Sequence, residues 1–389
     1  MKIGFIAVVV AFLSAPVAAE RLVINTNTSD ELSKSVFEAI IETFEAANPG
    51  IEIQWNVYER SNYRESFDQF IQTNPPDVAS GLSPNRLLPY IQQGLIKPLS
   101  EEETSKRWAL ETNRYPWGLM LNAAVLEEIE TAGLANFEAL LSTCAQIRQQ
   151  NLTPIALGTR FLWTAAAWFE YINLRINGPI FHRQLTQGEV SFLDPRVVAV
   201  FGMWRRLIDA ECFNVNHAEL SWQDAAQQVA DGQAAMQLIG SFALNALADR
   251  ESPESTLLMR EFPSITPGWQ NTLVAPSDTV VIPAAANNPE AATAFLAFLG
   301  NTVVQQQLAQ ARGQWPANEV EITEEMSLWD RSNLALLQGT SSRVSFFDRE
   351  VPTDLAKAAM SGFRAFLENP EQLNAILGAI EAVRKKLTR

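Results

Sequence analysis

Histidine and cysteine are almost missing from this chain, with two of each in 389 residues. His182 and His217 have no third ligand at metal spacing, so no metal site is expected. The chain also lacks a glycine-rich nucleotide loop, a Walker motif, HExxH, CxxC and a Gly-x-Ser-x-Gly turn. The usual signals for nucleotide, redox, zinc-hydrolase and serine-hydrolase chemistry are therefore missing, and no cofactor or catalytic residue is expected. Beyond residue 19 no apolar run is long enough to cross a bilayer. Basic residues number 29 against 44 acidic ones, for a net charge of −15. That sign disfavours nucleic acid and anionic membrane surfaces as partners.

What is present begins at the N-terminus. Lys2 precedes an apolar run over residues 3–13. A break at residues 14–16 leads to Val17, Ala18 and Ala19. This pattern predicts a cleaved export signal over residues 1–19. No cysteine follows the cleavage pattern, so a lipid anchor is not expected. The remaining length exceeds one comfortable core and predicts two domains. An oxidising compartment would permit a Cys144–Cys212 bridge. Sequence does not place the two close together, and buried free thiols are the favoured reading.

Strands and helices alternate at the start, as in an α/β layer. Residues 22–25 read as a strand. A helix capped by Ser29-Asp30 carries Phe37, Ile40, Ile41 and Phe44 on one face. Ile51, Ile53, Trp55 and Val57 alternate as a second strand. The middle is more helical, with helices near 123–131, 136–150, 163–175, 195–210 and 222–231, and a strand over 234–239. A late strand over 279–282 and a helix opening at Asn288-Pro289 follow. The tail from residue 321 reads as mostly helical.

Ten tryptophans occur, several near helix starts and turns. A sugar ring has apolar faces and polar edges, so its site wants flat aromatic platforms with amide, carboxylate or guanidinium partners. Trp204 lies in an apolar helix stripe and reads as core. Trp163 and Trp222, each at a helix start beside polar residues, read as site residues.

Several ordered stretches resemble one family. They are Asn74-Pro75-Pro76-Asp77-Val78 with Asn85-Arg86 and Gln93-Gly94-Leu95-Ile96; residues 153–158 with Trp163 and Trp168; Asp194-Pro195-Arg196; Trp222-Gln223-Asp224; residues 232–241; residues 288–292; and residues 313–318. In order and spacing the chain is similar to the periplasmic sugar-binding proteins of ABC importers, the maltose-binding-protein-like family 1 extracellular solute-binding proteins. The resemblance implies a two-lobed α/β periplasmic binding protein fold with a multi-strand hinge and a central cleft. It implies crossings near 114–121, 269–278 and 313–316. The first lobe would hold residues 20–118 and 277–315, and the second, more helical lobe 119–276 and 316–389.

The resemblance also implies a ligand site. Asn85 and Arg86 would contact sugar hydroxyls, and Trp163 and Trp222 would stack on sugar faces. Gly240-Ser241 would let backbone approach the ligand, and Asp278 would accept hydroxyl hydrogens. Trp117 and Trp315, in hinge segments, join the candidate site. The implied partners are a carbohydrate ligand and the permease subunits of an ABC importer, with the protein acting as a periplasmic monomer. An exported glycoside hydrolase stays open, as does a same-fold binder of an anionic or polyol ligand, kept open by Arg86, Arg114 and Arg160. A receptor-presenting role is a third alternative.

Overall fold

The computed structural model describes residues 20–28, 30–59, 62–100, 106–127, 133–247 and 256–387. The expected export signal lies outside the described residues, as do Ser29 and the end of the helix expected over 123–131.

Strand Glu20–Thr26 buries Leu22 and Ile24. The next helix, Glu31–Ala47, starts where the Asp30 carboxylate accepts the Ser33 backbone N–H at 2.9 Å. Its Phe37, Ile40, Ile41 and Phe44 stripe is buried, and Asn48 caps its end. Strand Ile51–Val57 pairs parallel with the first, Glu20 opposite Ile51. After helix Tyr63–Thr73, strand Val78–Ser80 pairs parallel on the other side of the first strand. Strand order thus reverses at the first strand. A crevice opens beyond the carboxyl ends of strands Glu20–Thr26 and Val78–Ser80, where open α/β sheets bind ligands.

The late strand Thr279–Val281 pairs antiparallel with Val78–Ser80, and Leu110–Glu111 completes this five-stranded sheet. Alternation sends Val78 to one face and Ala79 to the other. On the first face Phe295, from helix Pro289–Leu299, meets Phe44 edge-on at 5.1 Å. On the second, Phe67, Phe70 and Tyr90 pack together.

The second sheet runs Thr153–Ile155, Ala234–Gly240, Trp117–Asn122, Leu257–Arg260. Every residue of Ala234–Gly240 and Trp117–Asn122 is buried, as suits strands covered on both faces. Trp117 lies opposite Gly240 and Gly118 opposite Ile239, so the expected division after residue 118 falls inside a strand of this sheet. The helix expected to end at Arg175 breaks at Gly178, and a second helical segment follows up to Thr186. Gly178 has φ +77°, and a Cβ there would meet the Trp269 ring at 2.9 Å, so glycine suits both the angle and the contact. The C-terminal helices Thr353–Glu368 and Leu373–Leu387 join this core, with Phe363 stacked on Phe169 at 4.4 Å.

Cys144 and Cys212 form a disulfide, with Cα atoms 5.4 Å apart, which corrects the expectation of two free thiols. On the surface, Arg206 of helix Pro195–Asp209 pairs with Glu138 of helix Phe137–Gln149 at 2.8 Å. Neither histidine is a surface residue. His182 lies 3.1 Å from the buried Glu170, and His217 lies 2.9 Å from Thr159.

Three strand-like segments run side by side between the sheets. Arg114 pairs with Trp315, the Tyr115 N–H donates to the Pro276 carbonyl at 3.2 Å, and the Thr112 N–H donates to the Asp278 carbonyl at 2.9 Å.

Candidate ligand-binding cleft

A cleft of about 740 Å³ opens between the two sheets' domains, within the usual range for small-molecule sites. Its walls differ in character. On the first-sheet side, Asn27, Asp30 and Ser33 follow the first strand, and Gly81, Ser83 and Arg86 follow the third. This side, which also holds Tyr63 and Leu82, is mostly polar and lies at the strand ends where the sheet order reverses. Ser33 keeps Asp30 below the usual carboxylate range through hydrogen bonds, outweighing partial burial, with Arg312 adding to the effect.

The second-sheet side is aromatic, built from Trp117, Trp163, Phe242 and Phe346. Trp117 stacks on Phe346 at 4.3 Å, and Trp163 and Phe242 each meet Trp117 edge-on at 5.7 Å. The wall forms because strand Trp117–Asn122 begins with its indole at the cleft, and because the chain turns into a short 3-10 helix, Ser241–Ala246, after strand Ala234–Gly240.

The floor is charged. Asp278 takes Arg349 at 3.0 Å on one oxygen. On the other it takes Arg312 at 2.8 Å and the Asn113 amide at 3.1 Å. Arg312 also donates to Thr28 at 2.9 Å, and Arg349 donates to the Tyr115 hydroxyl.

Of the nine candidate residues, Arg86, Trp117, Trp163 and Asp278 line the cleft. Arg86 spends Nε and Nη2 on the backbone carbonyls of Val351 and Asp348, and burial brings its pKa down to about 10. Asp278 is committed to two arginines before any ligand arrives. Trp222 does not line the cleft. It packs behind Trp163 at 6.0 Å and Phe242 at 5.3 Å.

The other four also lie off the lining. Asn85 turns its amide to Thr186 at 3.2 Å, and its carbonyl accepts from Gln187 at 3.1 Å. The space beside Gly240 is filled by Phe242, whose Cδ1 would lie 2.8 Å from a Cβ there, so an aromatic ring and not a ligand explains the glycine. Ser241 donates to the Gly313 carbonyl at 3.2 Å and ties the strand end to the hinge. Gln314 lines the cleft; its neighbour Trp315 sits on a two-residue strand and is not among the lining residues. Of the two further arginines that kept an anionic ligand open, Arg114 pairs with Glu111 at 3.0 Å and Arg160 lies 3.8 Å from Asp224, and neither lines the cleft.

Sequence reasoning missed Phe242, Phe346, Asp348, Arg349 and Arg312. Phe242 directly follows the quoted Gly240-Ser241 pair, and Arg312 directly precedes residues 313–318. The segment around Phe346 carried no signal. Among the described residues no group of three or more His, Cys, Asp or Glu is placed to hold a metal, and no helix is long and apolar enough to cross a membrane.

The chain is 24% identical over 308 residues to an uncharacterised ABC transporter extracellular-binding protein of Pyrococcus horikoshii, spanning 73% of this chain and 68% of that one. The solved solute receptor AcbH, described as having an exclusive preference for β-D-galactopyranose, superposes with a TM-score of 0.86. It is 22% identical, over 96% of this chain and 99% of its own. RafE in complex with raffinose superposes with a TM-score of 0.74 at 16% identity, over 94% of this chain and 98% of its own. These likenesses agree with the two-lobed architecture. Residues 28–306 match the family model described as bacterial extracellular solute-binding protein, and the chain belongs to that family.

Proposed function

We propose that this protein captures a carbohydrate in the cleft by hinge closure and delivers it to the permease of an ABC importer, as an exported, unanchored periplasmic protein. The carrying observation is the pairing of an aromatic wall with a polar wall across one cleft. An indole or phenyl face suits the C–H face of a sugar, and polar groups opposite suit its hydroxyl edge. AcbH and RafE, each described with a sugar, share the fold. The Pyrococcus horikoshii relative is named for an ABC transporter. The three hinge segments permit a rigid-body closure in which the ligand favours the closed form.

A glycosidase needs two carboxyl groups available to flank the scissile bond. Here Asp278 is held by two arginines and Asp30 caps a helix, which favours binding over hydrolysis. The test is a thermal-shift screen with D-galactose, D-glucose, raffinose and other oligosaccharides, with chromatography for products. A sugar held at 100 times its Kd raises stability by about 2.7 kcal/mol and leaves the sugar intact. No shift with any sugar, or a released monosaccharide, contradicts the proposal.

A further inference from the structure

Seven charged residues line the cleft: Asp30, Arg64, Arg86, Asp278, Arg312, Asp348 and Arg349. Six are already engaged. Asp30 holds Ser33, Arg64 donates to Thr353 at 2.7 Å, Arg86 holds two carbonyls, and Arg312, Arg349 and Asp278 hold one another. Only the side chain of Asp348 makes no hydrogen bond and no ion pair among the described residues. Its backbone carbonyl, by contrast, is fixed by Arg86.

Asp348 lines the cleft together with Phe346 and Arg349, and the nearby charges that act on its carboxyl are Arg349 and Arg86. The side chain is half-buried, and a carboxylate accepts at two oxygens and has no donor of its own. Two neighbouring hydroxyls of a sugar ring present the missing pair of donors.

Resting on the carbohydrate reading above, we infer that Asp348 is the ligand's principal hydroxyl acceptor and selects neutral sugars. A ligand carboxylate would face Asp348, and Arg312 and Arg349 are already paired with Asp278. A cationic ligand would gain from Asp348 and the aromatic rings but would be opposed by Arg86 and Arg349. Burial keeps the Asp348 carboxyl above its ordinary range against the pull of those two arginines, as expected of a group that lacks donors until ligand binds.

The experiment titrates the full protein and D348N with D-galactose, D-glucose and raffinose, and with D-galacturonate, D-glucuronate and choline. The wild type should bind at least one neutral sugar and discriminate against both uronates and choline. D348N should lose about 100-fold in affinity for that neutral sugar, the size of one or two charge-assisted hydrogen bonds, and should narrow the gap to the uronates. D348N within about 3-fold of wild type on the neutral sugar overturns the assignment. So does a wild type that prefers a uronate or choline. Apo melting temperature checks that D348N folds; if it does not, the wild-type preference still decides. A wild type that binds none of these compounds overturns the carbohydrate reading itself, and the assignment with it.

Discussion

Arg349 and Asp278 form an ion pair at 3.0 Å, joining the C-terminal segment that packs on the second domain to a hinge segment leading back to the first. Arg312 shares the same carboxylate at 2.8 Å, and all three side chains are largely shielded from water. Asp278→Ala leaves two guanidinium groups without their partner and should destabilise the fold by about 3 kcal/mol, measured by urea unfolding. A loss below about 1 kcal/mol would mean the cluster behaves like an exposed pair.

The aromatic wall predicts a graded result. Trp163 faces the cleft and Trp222 stands behind it. Trp163→Ala should weaken sugar binding by roughly 30-fold, as for a buried aromatic anchor. Trp222→Ala should cost less than about 5-fold. Calorimetric titration of both variants checks the order, and a larger loss at Trp222 would reverse the assignment of layers.

Gly240 predicts an indirect effect. An added methyl would meet Phe242 and lie 3.0 Å from the Trp117 indole nitrogen. Gly240→Ala should therefore displace the Phe242 ring, cost about 1–3 kcal/mol in stability and weaken sugar binding. Unchanged melting temperature and unchanged affinity would count against a packed ring at that position.

The Cys144–Cys212 bridge closes a sequence separation of 68 residues. Replacing both with alanine should cost about 2–4 kcal/mol, chiefly by freeing the unfolded chain. The reductant sensitivity of the wild-type melting temperature provides the check, and the double variant should show none.

Acid stability should depend on Glu381. Its carboxyl is held below the ordinary glutamate value of 4.5 mainly by hydrogen bonds from Arg384, with the Phe192 backbone N–H adding to the effect. A lowered folded-state pKa means the stabilisation is present above 4.5 and is lost as pH falls through the lower folded value. Glu381→Gln should be less stable at neutral pH and should flatten the stability curve in that acidic window. Parallel curves for the two proteins would contradict this.

Much of the fold was legible because local signals agreed. The Asp30 cap, the Phe37–Phe44 stripe and the Asn288-Pro289 helix start each sit where propensity and patterning place them. The helix opening at Trp163 was legible almost to its end, because it breaks at Gly178, where φ is +77°; the second helical segment, up to Thr186, carried no separate signal. The site was legible in part. Trp163, Trp117 and Arg86 sit on elements whose starts carry sequence signals. Asn85 and Trp315 lie off the cleft lining, and for Asn85 the reason is a neighbour: its amide is drawn to Thr186. Phe346, Asp348 and Arg349 come from a tail segment brought to the cleft by long-range packing on Glu170 and Arg86, which no local pattern encodes.

The most direct test of the central claim is calorimetric titration of the mature protein with D-galactose, D-glucose and raffinose, run in parallel on Trp163→Ala. The expected result is one neutral sugar bound per chain by the wild type, a roughly 30-fold weaker isotherm for the variant, and no product. Absence of heat with every sugar, or equal affinity in the two proteins, would contradict a sugar held against this wall.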